Sequence, residues 1–212
     1  MNTPDHLQAT RYLDHDHEAV QAYAHKVCAG AGNARERAVA LYYAVRDDIR
    51  YDPYTCTLEA DHLRASEILA RGRSYCVGKA VLLAAVGRAA GIPTRLGFAD
   101  VRNHFTSPQL LQLMGTDIFY YHGYADFFLA GRWIKLTPAF NRELCEKMQA
   151  PALEFDGEHD AIFQEMDGGQ GMLRMEYLRY HEPVNDLDPE LIFGEYARRY
   201  PKMMAAMAAA AR

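Results

Sequence analysis

Gly72-Arg73-Ser74-Tyr75-Cys76-Val77-Gly78-Lys79-Ala80-Val81-Leu82-Leu83-Ala84-Ala85-Val86-Gly87-Arg88-Ala89-Ala90-Gly91-Ile92-Pro93 is the stretch that decides how this chain folds. A short polar loop, Gly72 to Tyr75, runs into an apolar helical pattern from Val77 to Ala90. Gly91 suits a left-handed C-terminal cap, and Pro93 stops any continuation. Cys76 stands at the junction. A cysteine at a helix start faces unpaired backbone N–H groups and the positive end of the helix dipole. Both favour the thiolate, which is the nucleophilic form. The dipole supplies roughly 0.3–1 kcal/mol, or about half a pKa unit. That is too little for catalysis, so a nearby base has to supply the rest.

Upstream of this helix the pattern is helical. Residues 16–29 place Ala19, Val20, Tyr23, Ala24 and Val27 on one face. Asn33 caps a second helix over 34–48, with Glu36 three residues after the cap. The segment from Ile49 to Leu58 holds Pro53 and aromatic residues and reads as extended or turn-like; Ser66 begins a short helical turn. Downstream the period changes. Thr94 to Val101 alternates weakly as a strand, and 107–115 make a short helix within an insertion. Phe119 to Leu129 and Trp133 to Leu136 read as strands of a hairpin turning at Ala130-Gly131-Arg132. Residues 141–148 read as helical, and from Gln149 to Tyr180 the pattern is irregular, with a flexible loop at Gly168-Gly169-Gln170-Gly171. Residues 190–211 form a C-terminal helix bent near Pro201, with an alanine-rich tail that frays. Helices first, then antiparallel strands, indicate an α+β fold.

A length of 212 residues fits a single domain, with its core over about 34–141 and a C-terminal extension over 142–212. Half the residues are hydrophobic and the net charge is −5, with no long basic run, so nucleic acid is not an expected partner. The cysteines Cys28, Cys56, Cys76 and Cys145 lie far apart with no C-x-x-C pair, which argues against structural zinc. No metal or other cofactor is expected. His15-Asp16-His17-Glu18 has the composition of a metal site, but residues two apart on a helix do not share a face, so it reads as an exposed cap. No signal peptide and no bilayer-length apolar run is visible, so no membrane association is expected and the reduced cytoplasm is the expected location. Oligomeric state is not legible in these patterns.

Thiol attack needs a base, a group to orient it, and donors for the oxyanion. Among nine histidines, His122 is the best placed, because it opens a strand downstream of the cysteine helix in Tyr121-His122-Gly123-Tyr124-Ala125-Asp126. Gly123 leaves room beside the imidazole. The hairpin returns through Trp133-Ile134-Lys135-Leu136-Thr137-Pro138, so an orienting residue is expected at the end of that second strand. His104, in the insertion, competes as a base. Lys79, one turn after Cys76, either favours the thiolate by its charge or lies on a solvated helix face, and the solvated face is the preferred reading.

Ser74-Tyr75-Cys76, with Ala80, Leu82-Leu83 and Arg88 to Arg95, resembles the cysteine motif of the transglutaminase-like superfamily. His122 to Asp126 with Gly131-Arg132-Trp133 resembles its histidine motif, and Tyr51 resembles its upstream tyrosine. The resemblance covers about residues 34–141. It implies a papain-like α+β fold and a Cys-His-Asp triad working in acyl transfer: transamidation, deamidation, or hydrolysis of peptide and isopeptide bonds. By position, Cys76 matches the nucleophile and His122 the base. The place of the family's aspartate holds Thr137, whose hydroxyl accepts a hydrogen bond but brings no charge. Asn141, Asp126 and Asp156 are alternative orienting residues. Tyr51 and Tyr75 are site-lining residues, with Tyr51 either flanking the oxyanion or packing on the cysteine helix. Ser74 also departs from the family, which has glycine there. The expected function is cysteine-dependent acyl transfer on a peptide or small amide through a thioacyl intermediate, with hydrolysis preferred. The alternative is a non-catalytic binding module of the same fold that has lost its acidic triad member.

Overall fold

The computed structural model describes residues 3–104, 106–163 and 175–210. The Gly168–Gly171 loop expected from the sequence lies outside the described residues. The α-helices in chain order are α1 (Glu18–Val27), α2 (Ala34–Asp48), α3 (Ala65–Arg71), α4 (Cys76–Ala89), α5 (Pro108–Met114), α6 (Arg142–Lys147), α7 (Pro189–Arg199) and α8 (Pro201–Ala210). The strands are β1 (Arg50–Tyr51), β2 (Arg73–Ser74), β3 (Thr94–Asn103), β4 (Ile118–Leu129), β5 (Arg132–Leu136) and β6 (Met175–Tyr180). Strands β1 and β2 pair in parallel, and the larger sheet has the order β5-β4-β3-β6. The fold is α+β, with a helical N-terminal part, a buried cysteine-bearing helix, an antiparallel sheet and a C-terminal helical extension.

The chain divides into two compact units. The first comprises Met1–Gly97, Gly123–Ile162 and Pro183–Leu187; the second comprises Phe98–His122, Phe163–Glu182 and Asp188–Arg212. Strands β3 and β4 run through both.

In the first unit, α1, α2 and α3 all pack on α4. Helix α4 is buried from Cys76 to Arg88 and apolar on every face except at Lys79 and Arg88. Val77, Val81, Leu82, Leu83 and Val86 are fully buried, each contributing about 1.5–3 kcal/mol by removal from water. The cap of α2 forms as its sequence implies. The Asn33 side chain accepts from the N–H of Glu36, and Glu36 reaches back to the N–H of Gly32 at 2.6 Å. Gly91 follows α4 at φ +74°, the left-handed conformation expected of it. The β4–β5 hairpin is tighter than the three-residue turn read from the sequence. Ala130 and Gly131, at φ +49° and +84°, are the two residues between the strands, as a right-handed twist favours.

Arg88 binds together chain segments remote in sequence. Its guanidinium donates to the carbonyls of Gln8, Thr94 and Asn185 and to Asn185 Oδ1. Burial drops its pKa to about 10. Lys79 corrects the sequence reading, because it is buried rather than solvated. Its Nζ donates to the carbonyls of Arg46 and Ile49, orphan acceptors at the C-terminus of α2. Burial pulls the ammonium pKa down to about 7.

In the second unit, β6 pairs antiparallel with β3, Ala99 opposite Tyr180 and Asn103 opposite Met175, with a bulge between Asp100 and Val101. This strand is absent from the sequence reading, which left Gln149–Tyr180 irregular. Met175-Glu176-Tyr177-Leu178-Arg179-Tyr180 is a largely solvated edge, so it shows no clean apolar alternation. The expected bent C-terminal helix is two helices, α7 and α8, broken at Tyr200-Pro201. The Tyr200 hydroxyl donates to the Ile118 carbonyl at 3.0 Å and accepts from the N–H of Tyr120, tying this segment to the start of β4.

Candidate active site

Cys76 is the first residue of α4, with Tyr75 as its N-cap in extended conformation. The cap carries no side-chain hydrogen bond, so the first-turn amides are left for another acceptor. Part of that role falls to the cysteine itself. The backbone N–H groups of Gly123, Val77 and Cys76 point at the sulfur. Burial outweighs them and pushes the thiol up to about 11, so the resting group is a neutral thiol. Cys56 lies close enough for its charge and that of Cys76 to repel, and its thiol meets the Tyr75 hydroxyl. Burial pushes Cys56 up to about 12.

Gly123 brings β4 against the helix start. A Cβ at this position would stand 2.8 Å from Val77 Cα and 3.3 Å from the Cys76 carbonyl oxygen. The sequence reading gave this glycine to the imidazole, but the space it opens is filled by the first turn of α4. Only backbone without a side chain can deliver an N–H to the sulfur from this direction.

The remaining candidates of the first unit have definite partners. The backbone N–H of Thr137 donates to the Ala161 carbonyl at 2.8 Å, and its own carbonyl accepts from the Tyr42 hydroxyl at 3.3 Å, deep in the interior. Asn141 Oδ1 accepts the N–H of Tyr51 at 3.2 Å. The Tyr51 ring meets Phe140 edge-on at 4.9 Å. Asp126 is buried and accepts from Arg95 Nε at 2.9 Å; its Oδ1 has no hydrogen-bond partner among the described residues. Burial raises its pKa despite the guanidinium. Asp156 is exposed and bound to His159 in its own loop, which drives its carboxyl below the usual range. Beside α2 and α6, Asp47, Asn141, Arg142, Glu143 and Glu146 line a surface pocket of about 310 Å³. No group of three or more His, Cys, Asp or Glu side chains that could hold a metal ion occurs among the described residues.

His122 belongs to the second unit. It is 1% exposed, and neither ring nitrogen has a hydrogen-bond partner among the described residues. The Phe163 ring faces it edge-on at 6.5 Å. Burial pulls the imidazole down to about 4, so it rests neutral and able to accept a proton. The competing His104 is exposed at the end of β3. Three residues of this unit escaped the sequence reading: Asp100, Tyr121 and His181. Tyr121, immediately before His122, has φ +54°. Nothing in their local sequence marks them, since they meet only where β3 lies between β4 and β6 in the sheet.

Residues 21–138 match the transglutaminase-like superfamily, more than half of the chain. The chain belongs to the transglutaminase-like superfamily. The match begins in α1, earlier than the motifs alone indicated. No curated protein matches this superfamily member. Among solved structures it is similar to a "Putative Cysteine Protease from Cytophaga hutchinsonii" at 20% identity and TM-score 0.48, covering 63% of this chain and 40% of that one. It is also similar to a "putative protease from Parabacteroides distasonis" at 14% identity and TM-score 0.39, covering 56% of this chain and 23% of that one. The superfamily member thus spans less than half the length of either neighbour. No helix among its described residues is long and apolar enough to cross a membrane.

Proposed function

We propose that this superfamily member is a cysteine-dependent acyl-transfer enzyme that hydrolyses a peptide or isopeptide bond, with Cys76 as nucleophile and His122 as base. The observation that carries the reading is the convergence of the Gly123 and Val77 N–H groups on the Cys76 sulfur at a helix start. Those donors stabilise negative charge on sulfur, and the N–H of Cys76 serves the oxyanion of the attacked carbonyl. His122 is joined to Gly123 by one peptide bond and holds a neutral imidazole with no described hydrogen-bond partner.

Both groups rest neutral, so the proton moves as the sulfur attacks rather than beforehand. The Sγ–C bond forms while the thiol proton passes to the imidazole. The imidazolium then protonates the departing nitrogen and the C–N bond breaks, leaving a thioester. Water adds to the thioester carbon and gives a proton to His122. The C–S bond breaks and the sulfur regains its proton. Thr137 stands where the family has its aspartate, and neither nitrogen of the resting imidazole has a hydrogen-bond partner among the described residues. Asn141 is occupied by Tyr51 and Asp126 by Arg95, which leaves both less suited to orienting the ring.

A second reading, a binding module without turnover, is favoured by the uncharged residue at 137. The two separate on one experiment: incubation with a peptide and isopeptide library, read by mass spectrometry for cleavage and for an acyl adduct on Cys76. Cleavage lost in Cys76→Ala and in His122→Ala supports the enzyme. Full turnover in Cys76→Ala rejects the mechanism, and binding without cleavage by the unaltered protein assigns the module.

A further inference from the structure

Tyr121 is a bulky residue held at φ +54° inside strand β4. A tyrosine adopts the left-handed region only where its surroundings impose it. The surroundings here are Asp100 and His181. Asp100 Oδ1 accepts the N–H of Tyr121 at 3.2 Å and the Nε2–H of His181 at 2.9 Å. The His181 ring stacks on the Tyr121 ring, with centroids 4.1 Å apart and an interplanar angle of 21°. His181 is itself fixed, since its backbone N–H donates to the Phe98 carbonyl at 2.9 Å. The Phe98 ring lies 5.9 Å from that of Tyr121. Asp100 sits at the β3 bulge, where register with β6 shifts. Bulges re-aim side chains next to functional sites.

A left-handed residue turns the following peptide and resets the alternation of side chains along a strand. The residue that follows is His122. We infer that Asp100 and His181 are positioning residues: by clamping Tyr121 in its left-handed conformation they set the direction in which the His122 imidazole points. Neither touches substrate in this role. The inference rests on the reading of His122 as base, and goes beyond it by assigning two residues that act through the backbone of a third.

The test uses the full chain with 13C-labelled histidine. Ring C–H signals are assigned by their loss in His122→Gln. The second readout is the rate of Cys76 alkylation by iodoacetamide, followed on the Cys76 peptide by mass spectrometry. Asp100→Ala is expected to shift the His122 ring signals and slow alkylation by about 10-fold or more, the scale on which misplaced groups lose rate. Asp100→Asn keeps an oxygen for the Tyr121 N–H and is expected to stay near the unaltered protein in both. His181→Phe keeps the stack, loses the hydrogen bond, and falls between. Glycine enters the left-handed region without penalty, so adding Tyr121→Gly to Asp100→Ala is expected to restore the ring signals. A folded Asp100→Ala protein with unmoved His122 signals overturns the inference, as does a double variant that restores stability but not the signals. An alkylation rate unchanged in His122→Gln instead rejects His122 as the base, while the ring signals still decide separately whether Asp100 and His181 aim its side chain.

Discussion

Replacing Gly123 by alanine isolates the contact on which the cysteine's surroundings depend. The added Cβ would meet Val77 Cα at 2.8 Å, Ala80 Cβ at 3.3 Å and the Cys76 carbonyl oxygen at 3.3 Å. Carbon atoms at rest stand roughly 3.5–4.0 Å apart, so the first contact is too short by about 0.7–1.2 Å. The partner atom is backbone in the first turn of a buried helix, which no side-chain rotation can relieve. Overpacking of this kind costs about 1–3 kcal/mol. At roughly 2–4 °C per kcal/mol for a chain of this size, Tm falls by about 2–12 °C. Gly194, in α7, is the control, since a Cβ there meets nothing within 4 Å. Alanine at 194 is expected to stabilise by about 0.5–1 kcal/mol. Both are measured by urea unfolding and thermal melts. In Gly123→Ala the strand must also retreat, drawing its N–H from the Cys76 sulfur and shifting thiol titration to higher pH. A Gly123→Ala protein with the unaltered melting temperature would refute the close approach of β4 to α4.

Three further outcomes are expected. Cys76, held near 11 rather than its ordinary 9.0, should react with thiol reagents at pH 7 roughly 100-fold more slowly than a free cysteine, rising steeply above pH 9; fast alkylation near pH 6 would show that the resting site holds a thiolate. Lys79 releases its proton near pH 7 when folded but near 10.5 when unfolded, so across that window the unfolded chain binds more protons and stability rises with pH. The melting temperature of the unaltered protein should therefore rise relative to that of Lys79→Met from pH 7 to pH 10, with the difference between them flat below pH 7, and a difference that does not change with pH would mean that Lys79 is not desolvated. Arg88→Ala strips donors from the carbonyls of Gln8, Thr94 and Asn185, each costing about 1–3 kcal/mol if left buried and unpaired; urea midpoints close to the unaltered protein would deny that role.

The helices were legible because their signals are local. Asn33 with Glu36 marks the start of α2, Gly91 with Pro93 marks the end of α4, and the apolar run between Val77 and Ala90 requires burial on every side. Cys76 and His122 were legible as candidates for the same reason, since each sits at a junction between two periodicities. The fate of Lys79 was not local. A charged residue inside an apolar run reads as solvated until the C-terminus of α2, some thirty residues earlier in the chain, supplies two carbonyls for it. Strand β6 was missed because a half-exposed edge strand carries no alternation, and Asp100, Tyr121 and His181 were missed with it.

Sequence alone determined the helical elements, the α+β class and the identity of the two candidate reactive side chains, because periodicity, caps and residue chemistry are written residue by residue. Tertiary structure alone decided which amides face the sulfur, that burial leaves thiol and imidazole neutral, and what holds Tyr121 in its left-handed turn. Those properties arise from groups far apart in the chain sharing a dry interior, where desolvation and close backbone approach outweigh local preference.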